Sequence, residues 1–160
     1  MVLERFFILS NGGTYLKFIF LTKDFYIAYS KCTEIEQKPN RPYAMLLTQI
    51  DGITWAIPLR SNISHNNVVW SDQAKKCGLD LSKAVVIEDS KYIDTTTAVW
   101  IRNSEFSVLK TKANLVNRRM KSYIKKYAKA YKRQDVERNR ILCEYSTLQY
   151  FHKYIDGIDE

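Results

Sequence analysis

Two periods of hydrophobic spacing divide the chain. Over roughly the first two-thirds, apolar residues come in short runs rich in aromatic and β-branched types, broken by polar or glycine-containing stretches, a pattern of strands and turns. Phe18-Ile19-Phe20-Leu21 and Phe25-Tyr26-Ile27-Ala28-Tyr29 read as two such strands. Tyr43 to Ile50 is expected to pair with Ile53 to Leu59 across Asp51-Gly52, a dipeptide that accepts the positive φ angles of a tight hairpin turn. Ala84 to Ile87, following a turn at Cys77-Gly78, and Ala98 to Ile101, containing Trp100, are further strand candidates.

The period then changes. Val116, Met120, Tyr123, Tyr127 and Ala130 recur at spacings of four, three, four and three, which aligns them on one face of a helix. A second helical pattern runs from Val136 to Cys143, and the tail Asp156 to Glu160 reads as frayed. No internal repeat or low-complexity linker interrupts residues 1–160, so a single domain is expected. With 160 residues and 46% hydrophobic content, the chain can bury one core.

Charge sharpens the helical reading. The net charge is +8, and from Phe106 to Gln134 there are ten basic residues and no acidic one: Lys110, Lys112, Arg118, Arg119, Lys121, Lys125, Lys126, Lys129, Lys132 and Arg133. Such a cluster repels itself and calls for solvent screening or a polyanion, which leaves RNA, DNA and anionic lipid as partners. The apolar stripe of this helix holds Met120 and tyrosines at core spacing rather than the large apolar residues of a membrane-adsorbing face. No apolar run reaches the roughly 20 residues of a membrane span. The opening MVLERFFIL lacks the basic start and small-residue cleavage site of a signal peptide. Cys32, Cys77 and Cys143 are odd in number and form no CxxC, which indicates neither a disulfide framework nor a zinc knuckle and favours a reducing cytoplasm.

Motifs narrow the chemistry further. Two histidines without HExxH or clustered cysteines do not suggest a catalytic metal site, and no cofactor is indicated. Gly12-Gly13 is not followed by the Gly-Lys-Ser/Thr of a phosphate loop, so nucleotide hydrolysis is not expected. His152, at the end of an aromatic segment, fits the surface or the edge of the core. His65 lies instead in Pro58-Leu59-Arg60-Ser61-Asn62-Ile63-Ser64-His65-Asn66-Asn67, a polar run directly after an apolar strand. Composition alone makes this a turn, because Asn and Ser hydrogen-bond their own backbone. The same residues could also cleave RNA without a metal: Arg60 could clamp the phosphate, Ser61 donate a hydrogen bond to it, and His65 carry a proton.

The run WAIPLRSNISHNN resembles the strand-and-turn segment of the type III toxin-antitoxin endoribonucleases, the ToxN, AbiQ, CptN and TenpN toxins, with the CptN branch nearest. Three further stretches are similar in the same order: Lys23-Asp24-Phe25-Tyr26-Ile27, Gly78 to Ile87, and Cys143-Glu144-Tyr145-Ser146-Thr147-Leu148. The resemblance implies a compact α+β fold, a twisted antiparallel sheet or partial barrel with surrounding helices, similar to the MazF and Kid ribonuclease toxins. It implies metal-independent cleavage of cellular RNA that leaves a 2′,3′-cyclic phosphate and a 5′-hydroxyl, and a role in phage defence. It also implies inhibition by a small repeat-derived RNA pseudoknot, which the toxin itself cuts and with which it closes into a cyclic hetero-oligomer.

Carried over position by position, the resemblance puts Arg60, Ser61 and His65 in the catalytic site, with Tyr26 lining it and Lys38 in an adjoining loop. Ser64, Asn66, Lys110, Lys112, Arg118, Arg119, Lys121, Lys125, Lys126 and Lys129 are the candidate RNA-binding residues. The ToxN branch has a lysine where this chain has Ile63, so the cation must come from Arg60, Lys38 or elsewhere. Residues 1–16 have no counterpart; Gly12-Gly13 is expected to be a translated ribosome-binding site ahead of a start at Leu16.

Overall fold

The computed structural model describes residues 2–3, 7–8, 15–38 and 42–158. Gly12-Gly13, with the expectation for the start of the chain that rests on it, and residues 159–160 lie outside these. Among the described residues, ten strands and four α-helices follow one another as β1 (Val2–Leu3), β2 (Phe7–Ile8), β3 (Tyr15–Leu21), α1 (Lys23–Ala28), β4 (Met45–Ile50), β5 (Ile53–Arg60), β6 (Val68–Asp72), β7 (Cys77–Asp80), β8 (Val85–Val86), β9 (Ile93–Asp94), β10 (Trp100–Ile101), α2 (Asn103–Leu109), α3 (Ala113–Tyr131) and α4 (Glu137–Tyr145). The class is α+β. The main sheet is antiparallel and open, in the order β2-β3-β4-β5-β7-β6, with β8 added to β5 and β9 to β3; β1 pairs separately with β10.

The hairpin β4–β5 is the spine of the sheet. Six residue pairs run from Met45↔Pro58 to Ile50↔Ile53, and Asp51 and Gly52 take φ of 51° and 81°, the two positive angles that this dipeptide promised. The far edge of β5 is shared: β8 pairs with Trp55 and Ala56, and β7 with Leu59 and Arg60. Leu59 N–H points to the β4 side, where Ala44 accepts it. By alternation the Pro58 nitrogen faces the seam between β8 and β7, so the missing N–H costs no ladder bond.

Two expectations are corrected. Phe25 to Tyr29 is not a strand: Lys23–Ala28 forms a helix whose Phe25 and Tyr26 are buried while Ile27 is 72% exposed. A five-residue aromatic run cannot by itself declare its period, and here the packing of Phe25 against Tyr29, Tyr92 and Tyr26 decides it, with ring centroids 4.6–5.6 Å apart. Cys77-Gly78 is not a turn either, but the first half of β7. A Cβ on Gly78 would meet the Val69 carbonyl oxygen at 2.5 Å, so this glycine answers to a close approach of β6 rather than to a bend.

The long helix α3 takes the predicted face inward. Val116, Met120, Tyr123, Tyr127 and Ala130 are all buried, against a core built around Trp55, Phe25, Phe151 and Leu148. Among the described residues no helix is long and apolar enough to cross a membrane.

Candidate functional site

The turn after β5 is fastened at both ends. Arg60 is the last residue of β5, opposite Gly78, and Asn62 reverses the chain with a φ of 58°. Ile63 is 3% exposed and its N–H is accepted by the Lys76 carbonyl, so this side chain anchors the turn. The Leu81 N–H donates to the Asn67 carbonyl at the other end.

This anchoring places Arg60 and His65 on opposite sides of a residue that sequence reasoning did not single out, Asp80. Strand β7 carries Asp80 two residues beyond Gly78 on the same face, within diagonal reach of an arginine side chain. Arg60 Nη1 donates to Asp80 Oδ2 at 2.6 Å. His65 Nε2 lies 3.2 Å and 3.3 Å from the two carboxylate oxygens. Ser82 completes the set, with its hydroxyl 2.6 Å and its N–H 3.0 Å from Oδ1. Asp80 is fully buried. Burial opposes its charge, but the hydrogen bonds from His65 and Ser82, with the positive charges beside it, outweigh that and hold the carboxyl below the usual aspartate range.

The tautomer of His65 follows from its partners. The Asn67 N–H donates to Nδ1 at 3.1 Å, so Nδ1 is the acceptor and Nε2 carries the proton that faces Asp80. Both ring nitrogens are occupied. A proton can reach Nδ1 only when the Asn67 bond is open.

A second pair adjoins the first. Glu36 lies 3.8 Å from Arg60, 2.6 Å from Lys38 Nζ, and 2.6 Å from the Tyr43 hydroxyl, which donates to it. The Arg60 and Lys38 cations stand 5.7 Å and 5.8 Å from the centre of the Tyr43 ring. Between this group and α1 opens a cavity of about 270 Å³, with Leu21, Phe25, Met45, Pro58 and Val85 in its lining and Tyr26, Glu36 and Arg60 among its polar groups. Burial, followed by the charges of Glu36 and Tyr43, pushes the Tyr26 hydroxyl up to about 12, which keeps it a hydrogen-bond donor at neutral pH.

Of the catalytic candidates, the structure thus gathers Arg60 and His65 around Asp80, and Tyr26 and Lys38 around Glu36. Ser61 is exposed beside Arg60, and its hydroxyl bonds no described residue. Asp80, Ser82, Glu36 and Tyr43 were missed. For the first two a signal existed: Asp80 precedes Leu-Ser-Lys as the N-cap of a short 3-10 turn, a place where a carboxylate accepts backbone N–H groups.

The basic helix meets this site along one flank. Arg119 and Lys126 lie seven residues apart on one side of α3, and Arg133 follows just beyond its end. Arg119 donates to the carbonyls of Asn66 and Val68, both at 3.2 Å, and Lys126 donates to the Asn67 side chain at 2.8 Å. Lys112 caps the Trp70 carbonyl at 2.8 Å, and Lys121 is 3.8 Å from Asp51. Lys112 and Arg119 therefore close the open edge of β6 as well as contributing charge. Ser64, Asn66, Lys110, Arg118, Lys125 and Lys129 are exposed. Lys125, Lys126, Lys129 and Arg133 line an open groove of about 510 Å³ with Asn139 of α4 and no acidic residue. Arg133 is paired with Asp135 at 3.0 Å.

Four stretches of the chain build and back this site. α1 supplies Tyr26, the β5 turn supplies Arg60 and His65, and the β7 stretch supplies Asp80 and Ser82. The Cys143–Leu148 stretch lies behind them, where Thr147 Oγ1 donates to the carbonyls of Ser82 and Ala84, and Lys83 bridges Glu34 and the Tyr145 carbonyl at 2.7 Å each. No protein-family profile, no characterised protein and no solved structure matches the chain.

Proposed function

We propose that this protein is an endoribonuclease that cleaves RNA without a metal, by attack of the ribose 2′-hydroxyl on the adjacent phosphate. The observation that carries the reading is the Arg60–Asp80–His65–Ser82 cluster opening beside Lys125, Lys126 and Lys129 of α3, which line a groove without an acidic residue. Asp80 fixes the Arg60 guanidinium through one nitrogen, which leaves its other N–H groups to stabilise the oxyanions of the pentavalent phosphate. Ser61, next to it and exposed, adds a neutral donor. His65 accepts the 2′-proton or returns one to the leaving 5′-oxygen once Asn67 releases Nδ1. Lys125, Lys126 and Lys129 neutralise the phosphates of the bound strand.

With the sequence resemblance, this makes the chain the toxin of a type III toxin-antitoxin system, acting on cellular RNA and held by a repeat-derived RNA pseudoknot in a closed hetero-oligomer, with phage defence as its setting. Incubation of the protein with RNA in EDTA is expected to give 2′,3′-cyclic phosphate ends, absent with Arg60→Ala and His65→Ala. Cleavage that stops in EDTA, or that persists in both variants, refutes the mechanism.

A second reading has its own support. Both nitrogens of His65 are occupied and Arg60 is ion-paired, as in a turn built only for stability beside a nucleic-acid-binding helix. A non-catalytic RNA- or DNA-binding module would show steeply salt-dependent affinity and no cyclic-phosphate product.

A further inference from the structure

The cavity beside Arg60 is larger than a phosphate clamp needs. Leu21, Phe25, Met45, Pro58 and Val85 make much of its lining apolar, and Tyr26 lines it with a hydroxyl that bonds no described residue. No buried side-chain oxygen among the described residues lacks a partner, so this hydroxyl is not sealed in the core but reaches the open space of the cavity, where it can donate to a ligand. Beside it Glu36 gives one oxygen to Lys38 and the other to Tyr43, which leaves a lone pair on each. The lining therefore offers, among apolar side chains, one hydroxyl donor, one carboxylate with an acceptor site on each oxygen, and a guanidinium.

Resting on the ribonuclease reading, we propose that this cavity is a guanine pocket that sets which base lies next to the cleaved bond. Guanine presents an acceptor, O6, adjacent to two donors, N1–H and N2–H. O6 accepts from the Tyr26 hydroxyl and the two donors meet the Glu36 carboxylate, while Arg60 holds the neighbouring phosphate. Adenine and cytosine each bring a single amino group to the carboxylate. Uracil turns a carbonyl toward it on either side of its one N–H and is repelled.

The test titrates the full-length protein with guanosine, adenosine, cytidine and uridine 3′-monophosphates by calorimetry, alongside mapping of cleavage in RNAs that vary one base at a time. Guanosine 3′-monophosphate is expected to bind about tenfold or more tighter than the uridine nucleotide, because the site's polar groups are left unpaired by the wrong base. Tyr26→Phe and Glu36→Gln, which keep shape, are each expected to reduce that ratio several-fold, Tyr26→Phe by weakening guanosine binding and Glu36→Gln both by weakening guanosine binding and by relieving the repulsion of uridine. Equal affinities, a preference for uridine, no binding of any nucleotide, or a guanine preference that survives both variants overturns the pocket. Guanine selectivity without RNA cleavage refutes only the ribonuclease reading. Cleavage with neither guanine selectivity in binding nor guanine at the cut site refutes only the pocket.

Discussion

Replacing Asp80 by asparagine is the most incisive perturbation of the site. The carboxylate is fully buried and takes Arg60 at 2.6 Å on one oxygen and the Ser82 hydroxyl and N–H at 2.6 Å and 3.0 Å on the other, with His65 Nε2–H shared between them. An amide has only one acceptor end. If it keeps Ser82, its NH2 confronts the guanidinium; if it keeps Arg60, its NH2 confronts two Ser82 donors. Breaking a buried charge pair costs about 3–5 kcal/mol. The Arg60 side chain is 26% exposed and can regain part of its hydration, which reduces the expected loss to about 2–4 kcal/mol. Urea unfolding at pH 7 is the assay, and with a slope of about 1–3 kcal/mol/M the midpoint should fall by about 1–2 M at unchanged slope. The folded-state pKa of Asp80 is depressed below its ordinary 3.8, so the advantage over Asp80→Asn is fully present above that value and disappears as pH falls through the lower folded value. A variant within about 0.5 kcal/mol of the native protein, or a gap that does not close in acid, refutes the account.

Gly78→Ala places a Cβ 2.5 Å from the Val69 carbonyl and 2.9 Å from a Val68 methyl. It should cost about 1–3 kcal/mol in the same urea assay, and a neutral result would remove the close-approach explanation of this glycine. Arg119→Ala and Lys125→Ala should separate structure from binding. Arg119→Ala uncaps the carbonyls of Asn66 and Val68 and lowers both stability and RNA affinity, whereas Lys125→Ala leaves unfolding unchanged. Lys125→Ala should also flatten the salt dependence of RNA binding by about 0.7 in log–log slope, the share of one neutralised phosphate on a single strand, as read by filter binding between about 50 and 200 mM salt. His65→Gln removes the acceptor of the Asn67 N–H and the Nε2–H bond to Asp80, so it should abolish cleavage and cost about 1–3 kcal/mol in stability while leaving a folded protein; retained activity would take His65 out of the proton path.

Sequence alone was enough wherever a local rule had no rival. Asp51-Gly52 declared its hairpin because few other dipeptides accept two positive φ angles in succession, and the 4-3-4-3 spacing from Val116 to Ala130 declared the buried face of α3 because nothing but a helix brings those positions together. It failed at Phe25 to Tyr29, where five apolar residues suit either period and the aromatic cluster around Phe25 decides, and at Gly78, whose meaning lies in how near β6 passes. The charge of the basic segment was legible; its division of labour was not. Only the packing of α3 against β6 sets Arg119 on strand-edge carbonyls and Lys126 on Asn67, while Lys125 and Lys129 stay free of acidic partners among the described residues.

The candidate site shows the same boundary. Arg60 and His65 could be picked out because they are scarce, charged or proton-carrying groups in a polar turn, and residue type is a property of the sequence. Glu36 and Tyr43 could not, and Asp80 and Ser82 could be seen only as a local N-cap, because what matters about them is the distance to a partner 20, 15 or 7 positions away along the chain, as in Arg60 to Asp80, His65 to Asp80 and Tyr43 to Glu36. Those distances exist only after β5 has taken β7 as its neighbour and the turn has been pinned by Ile63. Local chemistry was written in the order of residues; the pairing of charges, the tautomer of His65 and the cavity beside Arg60 were decided by tertiary packing, since a carboxylate acquires its role from what is brought against it.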